Sequence, residues 1–208
     1  RKLRPYITYP QGNFASPVFH GERPDPMPHY EMTGNPVSIA FSEQSPPVKM
    51  RSFKLYRDTK EIRDVKILDK NNDPNRLLTE RQFALFPLQP LEYDTDYRAV
   101  FEYRQNGKDR TAEWTFSTQK PDYPYFIVKG GETLAIESGQ KYFIHWQDFW
   151  CLKQCERYNY RTNRDTQIDI IERQAGGIII RVNGSKGSSI RLMPEGEDRR
   201  AITLYLWK

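Results

Sequence analysis

Short runs of alternating apolar and polar residues follow one another through the first half of the chain. Period-two alternation places one face of each strand in a core and the other in water. Turn signals such as Asn106-Gly107 separate the runs. The first half is therefore predicted to be a β-sandwich, with strands at Val37–Phe41, Ser52–Tyr56, Val65–Leu68, Phe83–Leu88, Tyr97–Tyr103 and Glu113–Thr118.

The alternation resumes after Gln119–Pro124, a short polar segment with two prolines that is typical of a domain boundary. No stretch shows a helical period with a cap over a helix-length window. The sequence therefore predicts an all-β chain of two domains, residues 1–119 and 120–208. Strands of the second domain are expected at Tyr125–Val128, Thr133–Ile136, Tyr142–Trp146, Gln167–Ile171, Gly177–Val182, Ser189–Leu192 and Ala201–Leu206.

One local pattern makes the first sandwich more specific. Leu91, Thr95 and Tyr97 read L-x-x-x-T-x-Y just before the strongest predicted strand. This spacing suits a tyrosine corner, in which the hydroxyl of Tyr97 bonds to the backbone a few residues upstream. The pattern predicts an immunoglobulin-like β-sandwich preceded by a proline-rich segment.

The charge balance narrows the classes of partner. The 208 residues include 32 Lys and Arg against 27 Asp and Glu, and the two signs are interleaved along the chain. Nucleic-acid binding needs a stripe of phosphate-neutralising charge, which this pattern lacks, so no nucleic-acid partner is expected. The positive excess favours anionic glycans mildly. No apolar run approaches the roughly 20 residues of a membrane span, so none is predicted.

The chain has only two cysteines, Cys151 and Cys155, spaced C-x3-C. A redox motif would more naturally read C-x-x-C, and zinc would need two further ligands nearby. A short-loop disulfide in an oxidising compartment, two free thiols and a metal site all remain open, and the disulfide is favoured.

The cysteines lie in an irregular segment, Phe149–Asp165, that is rich in aromatic and basic residues. Exposed rings stack on sugars, and arginines bond carboxylates, so this segment is a candidate polysaccharide or peptide site. The alternative is that its rings are core, as alternation predicts for Tyr142, Ile144 and Trp146. The predicted ligand-binding residues are Trp150, Arg157, Tyr158, Tyr160 and Arg161.

Catalytic and metal chemistry find little support. No nucleophile elbow, zinc-protease motif, Walker loop or dinucleotide fingerprint occurs. His20 and His29 flank acidic residues without the spacing of a metal site. The segment Asp69–Glu80 spaces its oxygens like a calcium loop, but Pro74 stands where the turn needs glycine. The sequence predicts no enzyme, no metal site and no cofactor.

Several motifs in the first half resemble one known family. They include the G-E-x-P-D-P run inside Phe19–Pro28, the segment Gly34–Ile39 and the strand Trp114–Thr118. Over about residues 6–118 the chain is similar to the β-sandwich that follows the CAP domain (cysteine-rich secretory protein, antigen 5 and pathogenesis-related superfamily) in secreted bacterial proteins. The resemblance implies export, an accessory role and an upstream CAP domain in the full-length protein.

Together these observations predict a non-enzymatic, extracellular or periplasmic accessory module. Its ligand is expected to be a cell-wall or surface polysaccharide, or a protein. The alternative is a purely structural spacer accompanying an upstream CAP domain.

Overall fold

The chain forms two compact units, Arg1–Lys120 (unit 1) and Pro121–Lys208 (unit 2). The computed structural model describes residues 5–150, 157–162 and 165–208. Within these ranges the one helical segment is a 3₁₀ turn at Asp198–Arg200, and everything else regular is strand. The prediction of an all-β chain, an immunoglobulin-like sandwich followed by a second β-rich domain, is confirmed.

From residue 5 onward, unit 1 contains ten strands. In chain order they are β1 (Tyr6–Tyr9), β2 (Val18–Phe19), β3 (Thr33–Gly34), β4 (Val37–Phe41), β5 (Lys49–Arg57), β6 (Lys60–Glu61), β7 (Val65–Leu68), β8 (Gln82–Pro87), β9 (Asp96–Gln105) and β10 (Lys108–Ser117). One sheet has the order β1-β4-β8-β7 and the other β10-β9-β5-β6, while β2 and β3 form a separate ribbon. These orders correspond to the A-B-E-D and G-F-C-C′ sheets of an immunoglobulin domain.

Aromatic rings fill the space between the two sheets of unit 1. The buried ring of Phe101 lies 5.2 Å from Phe53, 5.0 Å from Phe83 and 6.0 Å from Phe41, measured between centroids. Alternate residues of β4 and β9 are buried, as period-two patterning requires. The low apolar content of the sequence is therefore concentrated in a few large side chains that pack against each other.

The predicted tyrosine corner is confirmed. The hydroxyl of Tyr97 accepts a hydrogen bond of 2.9 Å from the backbone N–H of Glu92. Thr118 closes the same corner, because its hydroxyl accepts from the N–H of Thr95 at 3.0 Å and donates to the carbonyl of Glu92. Burial raises the pKa of Tyr97 to about 12, against a smaller lowering from its bond to Glu92.

The described residues of unit 2 form eight strands: β11 (Tyr125–Val128), β12 (Thr133–Ile136), β13 (Lys141–Trp146), β14 (Tyr158–Thr162), β15 (Gln167–Gln174), β16 (Gly177–Asn183), β17 (Ser189–Pro194) and β18 (Ile202–Leu206). Its sheets have the orders β11-β13-β16-β15 and β12-β18-β17-β14. The first strand position is thus split between both sheets, with β11 parallel to β13 and β12 parallel to β18. Apart from this split, the order is again that of an immunoglobulin-like sandwich.

The core of unit 2 is aliphatic around one indole ring. Tyr142, Ile144 and Trp146 are buried on β13, which confirms the sequence prediction for these three residues. The hydroxyl of Tyr142 accepts a bond of 2.8 Å from the N–H of Glu137, five residues upstream. Each unit therefore ties a loop to its core through a tyrosine hydroxyl and a backbone N–H.

Replacing either tyrosine by phenylalanine tests the contribution of these two bonds. Tyr97→Phe and Tyr142→Phe each leave a backbone N–H without its acceptor, and we expect each to lower the free energy of unfolding by about 1–2 kcal/mol. Hydrogen exchange read by mass spectrometry should show the loss of protection in the unit that carries the change. Tyr30→Phe, on an exposed tyrosine outside the core, is the control. Equal stability of all three variants would contradict the role given to the corners.

Buried phenols should also make the protein sensitive to alkali. Burial raises the pKa of Tyr93, of Tyr97 and of Tyr158 to about 12. Because the folded state favours the neutral phenol, this contribution is complete below the ordinary value of about 10 and is lost as pH rises through 12. Denaturant midpoints should fall between pH 10 and 12. Tyr158→Phe should make that fall shallower, and an unchanged slope would show that Tyr158 does not contribute.

Candidate functional site

Four connections between strands meet at one end of unit 2, here called the loop end. They are residues 147–157 between β13 and β14, residues 175–176 between β15 and β16, residues 195–201 between β17 and β18, and residues 129–132 between β11 and β12. The first of them crosses from one sheet to the other. Such loop clusters at a sandwich end are a common place for ligand contacts.

Arg200 holds the beginning of the first connection in place. Its guanidinium lies 4.6 Å from the ring centroid of Phe149, and its Nη1 donates to the carbonyl of Gln147 at 3.1 Å. Its own carbonyl accepts a 2.8 Å bond from the indole N–H of Trp146. Sequence analysis missed Arg200, because a single arginine beside a turn carries no pattern that predicts these contacts.

At the loop end, Trp150 packs on His145 and Gly176. Its ring centroid lies 4.8 Å from that of His145, a fully buried residue whose Nδ1 is 2.7 Å from the carbonyl oxygen of Gly176. A Cβ atom on Gly176 would stand 2.8 Å from the Trp150 ring, so the indole occupies the space that the missing side chain leaves. Trp150 therefore contributes to the packing of the fold at this position.

The other four predicted ligand-binding residues lie on or next to β14. The ring of Tyr158 is 5.6 Å from that of Trp146, and burial raises the pKa of Tyr158 to about 12. Tyr160 is 51% exposed, and Arg157 and Arg161 are exposed. Strand alternation directs Tyr158 and Tyr160 to one side of the sheet and the two arginines to the other. The structure thus places four of the five residues at β14, whereas Trp150 contacts His145 of the other sheet and Gly176 in its β15–β16 turn.

Cys151 and Cys155 lie outside the described residues. The disulfide, free-thiol and metal interpretations of this pair remain predictions. Of the segment Phe149–Asp165, which was predicted to be irregular, the structure describes residues 149–150, 157–162 and 165. The prediction is wrong for Tyr158–Thr162, because these residues form β14 and pair with β17.

β14 is an edge strand among the strands that the structure describes, paired only with β17. In the described parts of the chain, neither Arg157 nor Arg161 forms an ion pair. The arginines of unit 1 differ, because several pair with acids on the same or a neighbouring strand: Arg63 with Glu61, Arg98 with Glu113, and Arg104 with Asp109.

The calcium-like segment of unit 1 is a self-contained turn. The carboxylate of Asp73 accepts bonds from the backbone N–H groups of Asn75, Leu77 and Leu78 at 2.7–3.0 Å. Burial raises the pKa of Asp73, but these three donors outweigh that effect and leave the pKa below its ordinary value. Across residues 5–150, 157–162 and 165–208, no group of three or more His, Cys, Asp or Glu side chains is arranged to hold a metal.

A cavity of about 340 Å³ lies beneath the proline-rich segment of unit 1. Its walls include Phe19 and Phe86, which contact each other edge to face, and Leu68 and Leu78. The neighbouring carboxylate of Asp73 is already saturated by backbone donors. This cavity therefore offers mainly apolar contacts.

No family model matches the chain, and no curated protein matches it significantly. Among solved structures, the I-band fragment I67-I69 from titin is 10% identical, with a TM-score of 0.27, 99% of this chain covered and 66% of that chain spanned. The titin Ig tandem A164-A165 is 10% identical, with a TM-score of 0.25 and coverage of 97% and 96%. Domains 4 and 5 of the S-layer protein SbsC are 12% identical, with a TM-score of 0.26 and coverage of 77% and 100%.

These likenesses carry no argument about function at such low TM-scores. The assignment of an immunoglobulin-like fold rests on the strand orders of the two units. In the part of the chain that the structure describes, no helix is long and apolar enough to cross a membrane.

The packing of Trp150 generates a stability prediction. Trp150→Ala removes the ring that covers Gly176 and His145, and we expect it to lower the free energy of unfolding by about 1–3 kcal/mol, less than for a fully buried tryptophan. Trp207→Ala is the matched control, because Trp207 is 46% exposed. Thermal melts compare the two variants, and equal midpoints would mean that Trp150 is not a packing residue.

Proposed function

We propose that this chain is a non-enzymatic binding module whose ligand contacts run along β14 of unit 2. The observation that carries the proposal is the exposure of Arg161 on an edge strand and of Arg157 immediately before it, without ion pairs among the described residues. Long cationic side chains that form no ion pair are available to an external acid. Tyr160 adds a half-exposed ring on the same strand.

A polysaccharide is the ligand class that these residues suit. Exposed tyrosine rings pack on the apolar faces of sugars, while arginine forks bond carboxylates in two places. The positive net charge of +5 favours an anionic polymer further.

The proposed location is extracellular or periplasmic, with an upstream CAP domain as the partner in the full-length protein. What supports this is the resemblance of residues 6–118 to sandwiches that accompany CAP domains. A short-loop disulfide between Cys151 and Cys155 would agree with that location.

A structural spacer is the second candidate function. The packing of Trp150 on His145 and of Tyr158 on Trp146 favours it, because both rings then serve the core. A spacer made of two consecutive sandwiches would need no ligand. The two candidates differ in whether exposed residues of β14 affect binding.

An array of cell-wall and surface glycans, probed with the whole chain, tests the proposal. Arg157→Ala and Tyr160→Ala should each weaken retention about tenfold, the loss expected for one charge-assisted bond or one ring contact. Their melting temperatures should stay close to that of the original chain, because both side chains are exposed. Lys186→Ala, an exposed residue at the turn before β17, is the charge-matched control. If the chain retains no glycan, the proposal fails and the spacer function is favoured. Equal retention by all variants would also overturn the proposal, because the glycan would then bind away from β14.

A further inference from the structure

The buried residues of the sheet β12-β18-β17-β14 determine which side chains lie on its outer face. Ile190, Leu192, Ile202 and Leu204 are buried on β17 and β18, so the residues between them point to solvent. The register of the sheet then gives the neighbours on this outer face. One row across the four strands contains Arg161, Arg191, Thr203 and Thr133.

Arg161 and Arg191 are therefore directly opposite each other on neighbouring strands. The N–H of Glu195 donates to the carbonyl of Arg157 at 3.0 Å, which fixes the hydrogen-bonding phase of this strand pair. By alternation, Arg161 and Arg191 form a hydrogen-bonded pair, with Cα atoms about 5.5 Å apart. Two like charges in this position oppose folding.

Neither arginine has an acid to neutralise it among the described residues. The Nη1 atom of Arg191 lies 3.9 Å from the sulfur of Met193. By strand register, Glu195 lies on the same face, but it is four residues from Arg191, roughly 13 Å along the strand. The other members of the arginine row, Thr203 and Thr133, carry hydroxyls and no charge.

The rest of the outer face carries a tyrosine ring and hydroxyl groups, which suit sugars. Ser189 stands opposite Tyr205 in the next row, and the ring of Tyr205 is 40% exposed. Tyr205 is thus a diagonal neighbour of Arg191, within reach of the same ligand. Hydroxyls from Ser189, Thr203 and Thr133 can exchange hydrogen bonds with sugar hydroxyls.

We infer that this outer face binds a carboxylate-bearing polysaccharide, a polyuronate, with Arg161 and Arg191 holding its carboxylates and Tyr205 packing against a sugar ring. This inference rests on the proposed function, because Arg161 belongs to β14. It adds the ligand chemistry and three further residues, Arg191, Tyr205 and Thr203. The bound carboxylates supply the negative charge that the face itself lacks.

A polyphosphate chain would meet the charge of the arginines equally well. It would make no use of the exposed ring or of the hydroxyl row, because it has neither sugar rings nor hydroxyls along its length. The combination of the arginine pair with Tyr205 therefore favours the polyuronate.

Binding of polygalacturonate to the whole chain is the test, measured by calorimetry at two salt concentrations beside two other probes, neutral dextran and inorganic polyphosphate. Arg161→Ala and Arg191→Ala should each weaken polygalacturonate binding by tenfold or more. Arg191→Lys should recover part of the loss, because the charge returns without the planar fork. Tyr205→Ala should weaken polygalacturonate binding and leave any polyphosphate binding unchanged.

The same variants have a second readout without ligand. Removing one arginine relieves the repulsion, so Arg161→Ala and Arg191→Ala should melt about 1–4 °C higher than the original chain. Lys186→Ala, outside this face, should change neither the melting temperature nor binding. This increase in stability with a loss of binding would not arise from arginines that serve only the fold.

The inference is overturned if the chain does not bind polygalacturonate, or if both alanine variants still bind it as the original chain does. Equal losses for polyphosphate, with no effect of Tyr205→Ala, would reduce the face to a general anion site and also overturn it. If the glycan array finds a ligand that depends on Arg157 and Tyr160 but not on Arg191, the inference fails while the proposed function stands.

Discussion

Both units depend on one constraint, the closure of two sheets over alternate side chains. In unit 2 the buried positions Ile190 and Leu192 fix the direction of every other residue on β17, including Arg191. Slippage by one residue would bury the arginines and expose the leucine and isoleucine, which costs far more than any surface contact returns. The position of the outer arginine row is thus a consequence of the core.

Tyrosine hydroxyls extend this constraint to the loops. Tyr97 and Tyr142 lie in different units and at different strand positions, yet each accepts the N–H of the residue five positions upstream. A buried hydroxyl and a backbone N–H beside the core each need a hydrogen-bond partner, and one bond between them satisfies both. This bond fixes the loop that precedes the tyrosine in each sandwich.

The sequence was sufficient to predict most of the strands, because alternation survives wherever one face is buried. It missed the short strands β1, β2, β3 and β6, and it missed β14, whose exposed polar residues hide the alternation. It also predicted the corner at Tyr97, where Thr95 supplies a recognisable spacing, but not the equivalent bond of Tyr142, which lacks that neighbour. The arginine pair could not be predicted, since Arg161 and Arg191 become neighbours only through the register of β14 and β17. Arg200 was missed for a similar reason, because its contacts with Phe149 and Gln147 bring together two loops far apart in the chain.

The candidate site therefore divides by physical role rather than by residue type. Trp150 and Tyr158 lie against buried neighbours, where their rings contribute to the fold. Arg161 and Arg191 contribute nothing comparable, and their opposition lowers stability by about 0.2–1 kcal/mol in an ordinary sheet. A folded domain has only about 5–15 kcal/mol of net stability, so a persistent loss of this kind is expected where the residues serve binding. On this reasoning the side chains that weaken the sheet are better indicators of its ligand than the aromatic residues that drew attention in the sequence.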